Sequence, residues 1–126
     1  MKTVRFIVVS ILTLVFSSPL LANQKLVNLE ATWQKNKDKP EYGGYLNEFI
    51  QNNNKLKLDT KDGCFAMSSG ELVMYITINA QGKIESVVTN LTNSKSKCFK
   101  QTYIGLSVNP PPFSPFVIQM VMQDSK

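Results

Sequence analysis

The sequence predicts an α+β fold: a small three-stranded antiparallel sheet with helices on one face and one disulfide. Three observations carry this. Leu72, Met74, Ile76 and Ile78 alternate with Val73, Tyr75 and Thr77, and a glycine-containing turn leads into a second extended run. Apolar residues recur at helical spacing on both sides of this hairpin. A pair of cysteines, Cys64 and Cys98, brackets it.

At the N-terminus, Lys2 and Arg5 precede a largely apolar run from Phe6 to Phe16, followed by Ser17, Ser18, Pro19 and, after two leucines, Ala22. This order predicts a cleaved secretory signal peptide over residues 1–22. The run falls short of the roughly 20 apolar residues needed to cross a hydrocarbon core, and Pro19 breaks it, so no stable membrane anchor is expected. The remaining chain of about 104 residues suits one modest core.

Without Lys2 and Arg5, the fourteen basic residues become twelve, all lysine, against nine acids, a net charge of about +3. Spread along the chain and lacking arginine, this charge points away from nucleic acid, since bidentate phosphate and base contacts are not on offer. In an exported chain two cysteines predict a bridge between Cys64 and Cys98. The competing reading, a reactive thiol, has neither a C-x-x-C spacing nor a histidine to act as base.

Leu26, Leu29 and Trp33 predict a first helix within Asn23–Lys37, ended by Pro40 and the Gly43-Gly44 pair. Residues 23–44 thus read as an N-terminal helix and linker, and residues 45–126 as the main domain. Tyr45-Leu46 and Phe49-Ile50 form the stripe of a second helix, which frays at Gln51 to Asn54. Lys61-Asp62-Gly63 reads as a turn, Glu71 to Asn79 as a strand, Asn79 to Lys83 as a short loop with Gly82 free to take positive φ, and Ile84 to Leu91 as the returning strand. Cys98-Phe99, Tyr103 and Leu106 fit a further helix. Pro110-Pro111-Pro112 forces an extended segment that delivers Phe113 and Phe116 to the core, and the alternation from Phe116 to Met122 predicts the last strand.

The chain contains no histidine, phosphate loop, nucleophilic triad or zinc-type cysteine spacing, so no metal, cofactor or catalytic set is expected, and the protein is read as a non-enzyme. An envelope enzyme would have to rest on scattered carboxylates such as Glu71 or Glu85, which no single element pairs.

The order Gly63-Cys64, strand, Ala80-Gln81-Gly82 turn, strand, helix with Cys98, Asn109-Pro110-Pro111-Pro112 and final strand resembles the C-terminal periplasmic domain of TolA and, more distantly, that of TonB. The resemblance covers about Tyr45 to Gln123 and departs from the family in lacking an uncleaved anchor and long spacer. It implies a Gram-negative periplasmic module that binds a protein by strand addition or through a helix face. Implied partners are periplasmic or outer-membrane proteins, including Tol-system components, colicins and phage coat proteins. The exposed last strand would place Val117, Gln119 and Val121, together with Phe116, at the partner-binding edge. The opposing reading is an edge that is short and covered by the first helix around Trp33. An immunity or accessory protein of a secretion or toxin system is the alternative use of the same scaffold.

Overall fold

A computed structural model describes residues 23–56 and 63–123; the segment read as a signal peptide, and Lys61 and Asp62 of the first turn, lie outside them. Residues 23–37 form α1, followed by α2 (Tyr42–Asn54), a 3₁₀ turn (Cys64–Ala66), β1 (Leu72–Ile78), β2 (Ile84–Thr89), α3 (Ser94–Tyr103) and β3 (Phe116–Met122). The sheet order is β2-β1-β3, antiparallel throughout, with Leu72 opposite Met122 and Ile78 opposite Phe116.

The period-two pattern decides where the core lies. Leu72, Met74, Ile76 and Ile78 are fully buried on one face, joined across the strands by Ile84, Val87, Phe116 and Ile118. Helix α2 covers this face with Tyr42 and Phe49, and α3 with Phe99 and Tyr103, whose rings stack at a 6.1 Å centroid distance. Removing side chains of this size from water is the main favourable contribution to folding, about 1.5–3 kcal/mol for each large apolar residue.

Helix α3 begins where Asn93 and Ser96 cap each other. The Asn93 Oδ1 accepts from the Ser96 amide at 2.9 Å, and the Ser96 Oγ accepts from the Asn93 amide at 2.9 Å. The helix carries Cys98 to Cys64 in the 3₁₀ turn, and the two form a disulfide with a Cα–Cα distance of 5.3 Å. Lys95 in the same first turn is buried with its Nζ 4.7 Å from the centre of the Phe65 ring, a placement that its charge does not advertise in the sequence.

Three features differ from the sequence expectation. Helix α2 does not fray at Gln51 but stays helical through Asn54. Gly43 and Gly44 do not separate the helices; they lie inside the first turn of α2, and only residues 38–41 connect it to α1. First-turn amides need no helical partner, and Tyr42 is anchored by stacking on Phe116 at 4.9 Å, so tertiary packing overrides the low helix propensity of the pair. The second face of the sheet is also less open than simple alternation suggests, because Tyr75, Thr77 and Val117 are buried there.

The β1–β2 turn is held by Asn79, whose Oδ1 accepts from the Gln81 and Lys83 amides at 3.0 and 2.9 Å. Gly82 has φ +85° and its backbone lies against Val108 to Pro110, receiving the Val108 amide on its carbonyl at 2.6 Å. A Cβ at this position would overlap the Val108 carbonyl oxygen. Gly82→Ala is therefore expected to cost at least about 2 kcal/mol, from left-handed strain plus the clash, read as a lower urea midpoint at unchanged slope. Replacing both cysteines with alanine frees a loop of sequence separation 34 and should cost roughly 3.5–4 kcal/mol in chemical denaturation. A loss below about 1 kcal/mol would show that the bridge does little to restrict the unfolded chain.

Candidate binding edge

In a three-stranded sheet each outer strand has one row of backbone groups with no neighbour, and here the two rows are closed differently. On β2, the chain after α3 returns along the start of the strand. The Ile84 amide donates to the Leu106 carbonyl at 2.9 Å, the Gly105 amide donates to the Ile84 carbonyl at 3.0 Å, and Lys83 pairs with Ser107. Gly105, at φ +86°, lets the chain turn out of α3 into this position.

On β3 the work is done by side chains. The Val117 amide donates to Asn36 Oδ1 at 2.7 Å, and the Val117 carbonyl accepts from the Tyr42 hydroxyl at 3.1 Å. The Tyr42 hydroxyl in turn accepts from Trp33 Nε1 at 3.1 Å. Asn36, Tyr42 and Val117 are all buried. Because Val117 directs its backbone groups outward, the alternation along β3 turns those of Gln119 and Val121 outward as well. The β1 residues opposite them, Tyr75 and Val73, belong to the row facing β2: the Val73 carbonyl accepts from the Asn90 amide at 3.1 Å. No hydrogen-bond partner meets the outward amides and carbonyls of Gln119 and Val121 among the described residues.

The residues expected at the edge therefore part company. Phe116 is a core residue, stacked on Tyr42 and meeting Tyr45 edge-on at 4.6 Å, and does not reach a partner. Val117 lies on the face opposite the core, as expected, but is 1% exposed and its backbone is occupied. Gln119 is half-buried and its Nε2 donates to the Tyr75 hydroxyl at 2.9 Å, leaving its backbone outward. Val121 is 50% exposed. The cover from α1 and α2 meets the backbone of β3 at Val117, and none of the described residues does so at Gln119 or Val121.

Asn36 and Tyr42 were not singled out from the sequence. A signal for Asn36 was present, since it continues the stripe Leu26, Leu29, Trp33 at helical spacing, but an asparagine among lysines reads as surface. Glu71 and Glu85 are both exposed; the Glu71 carboxylate accepts from Gln123 Nε2 at 3.1 Å, and nothing brings the two together as an acid–base pair. Among the described residues, no group of three or more histidine, cysteine, aspartate or glutamate side chains could hold a metal, and no helix is long and apolar enough to cross a membrane.

A concavity of about 150 Å³ lies between the end of α2 and the Leu106–Val108 segment, walled by Phe49, Leu56, Ile84 and Tyr103. Its wall is mostly carbon and carries no ionisable group other than the Tyr103 phenol, which is bonded to Asn53.

Comparison with known protein families, with characterised proteins and with solved structures finds no match to this chain.

Two tyrosines beside the β3 edge are shifted. Burial pushes the Tyr42 phenol above its ordinary value, opposed by the hydrogen bond from Trp33. Tyr45, which donates to the Asn109 carbonyl at 2.6 Å, is pushed up to about 12 by burial and then by the nearby Glu48 carboxylate. The unfolded chain releases these protons near pH ~10, earlier than the fold does, so their contribution to stability is intact below that pH. It is lost as pH rises toward the folded value. Stability measured by urea titration should fall between about pH 10 and 12, and Tyr45→Phe should fall less steeply over the same window.

Proposed function

We propose that this protein is an exported, envelope-associated binding module that recognises another protein by adding a strand to β3. The observation that carries the reading is the pair of outward backbone sites at Gln119 and Val121, next to a half-exposed valine and flanked by the partly buried Met120 and Met122. Donors and acceptors in a row at sheet spacing match an extended chain, whatever its sequence, and the flanking apolar side chains add selectivity.

The disulfide supports function in an oxidising compartment, for which the bacterial periplasm is the reading that agrees with the N-terminal segment. The resemblance to TolA-type domains supports the same mode of binding and the same class of partners, periplasmic or outer-membrane proteins.

Proline at position 121 tests this directly. The Val121 amide has no partner among the described residues, so Val121→Pro should leave the domain folded while removing one donor and placing a ring at the edge. Val117→Pro is unsuitable, because it would break the bond to Asn36. The mature domain should capture a specific protein from periplasmic extract, identified by mass spectrometry, and folded Val121→Pro should lose at least nine-tenths of it. Capture of nothing above background, or equal capture by the variant, would overturn the proposal.

A further inference from the structure

The two bonds made to Val117 have the form of strand pairing. A residue in a hydrogen-bonded antiparallel pair offers its partner one acceptor and one donor. Asn36 Oδ1 supplies the acceptor at 2.7 Å and the Tyr42 hydroxyl supplies the donor at 3.1 Å, from two different helices. Both are held in place. Asn36 is 4% exposed, and Tyr42, 5% exposed, is fixed by the Phe116 ring on one side and by the Trp33 indole donating to its oxygen on the other. Withdrawing either side chain would leave a buried backbone group without a partner, which is costly.

We infer that Asn36 and Tyr42 are a built-in stop that sets the register and length of any strand added to β3. This inference rests on the edge-pairing reading above and specifies its partner. The incoming segment pairs across Gln119 and Val121 only, so it contributes a short extended stretch and ends, or turns away, before Val117. Opposite Met120 and Met122 it presents apolar side chains, continuing the partly buried surface those two methionines form. A long strand cannot zip along the seven residues of β3 while the stop is in place. The same device protects the protein from itself, because a second copy can pair only over the same short window.

The test uses the mature domain with its disulfide intact and needs no identified partner. Amide hydrogen exchange is followed by NMR, reading Val117 as a ratio to Ile118, whose amide lies in the β1–β3 ladder, so that a general loss of stability moves both together. In the wild type, Val117 should be protected and Gln119 and Val121 should exchange at least 100-fold faster than Ile118. In Asn36→Ala the Val117 ratio should rise at least tenfold, and Asn36→Asp, which keeps an acceptor oxygen, should restore most of the protection. Sedimentation equilibrium should show the double variant Asn36→Ala/Tyr42→Phe, which removes both side-chain bonds to Val117, self-associating at least tenfold more tightly than the wild type.

The two ideas fail separately. If Gln119 and Val121 are as protected as Val117 in the wild type, the edge is closed and the binding reading itself falls. If they exchange freely but Asn36→Ala leaves the Val117 ratio unchanged, or the double variant self-associates no more tightly than the wild type, the edge stands and the stop is overturned.

Discussion

The constraint on which this structure turns is that backbone donors and acceptors in a small sheet must be satisfied. Only β1 has a neighbour on both sides; β2 and β3 each leave a row of groups that water, another part of the chain or another molecule must meet. Much of the chain outside the sheet is arranged around this need. The stretch after α3 runs back along β2 and places Gly105 to Ser107 on Ile84 and Lys83. The close approach of Val108 to Gly82 locks that return in place, and with it the hairpin turn.

The core is built to the same plan. One face of the sheet is buried under α2 and α3, and the disulfide joins the turn before β1 to α3, so that helix, turn and sheet are tied through one covalent link. Phe116, the first residue of β3, is central to the packing between layers because it meets Tyr42, Tyr45 and Phe113 at centroid distances of 4.9, 4.6 and 5.0 Å. The proline segment delivers it there, and Asn109 at the head of that segment accepts the Tyr45 hydroxyl on its carbonyl. The aromatic cluster therefore fixes the start of β3 against α2, which also places the Tyr42 hydroxyl over the Val117 carbonyl.

The sheet was legible because its signal is local and periodic: apolar alternation in β1 and β3, and Asn79 and Gly82 at a turn whose geometry demands such residues. The cysteine pair was legible from number and context. What could not be read were positions whose role depends on contacts far along the chain. Asn36 is 81 residues from Val117 and Tyr42 is 75 residues from it, and neither an asparagine in a lysine-rich stretch nor a tyrosine before two glycines announces an edge contact. Gly43 and Gly44 misled for the related reason that propensity is a weak local preference, overridden here by a buried ring. Lys95 reads as solvated charge until Phe65 is seen beneath its ammonium group. The candidate site was therefore visible as a strand, while the two residues that delimit it were not.

The difference between the two edges bears on which can exchange partners. On β2 the closure is backbone on backbone, Gly105 to Val108 lying on Gly82 to Ile84 at the start of the strand, and freeing Ile84 means unseating the chain that also packs against the hairpin turn. On β3 the closure is two side chains at one residue, and the sheet's own ladder does not pass through them. Beyond that residue, the outward groups of Gln119 and Val121 meet no partner among the described residues. If β3 takes an added strand as proposed, a window confined to Gln119 and Val121 favours partners that present a brief extended segment over those that would extend the sheet without limit.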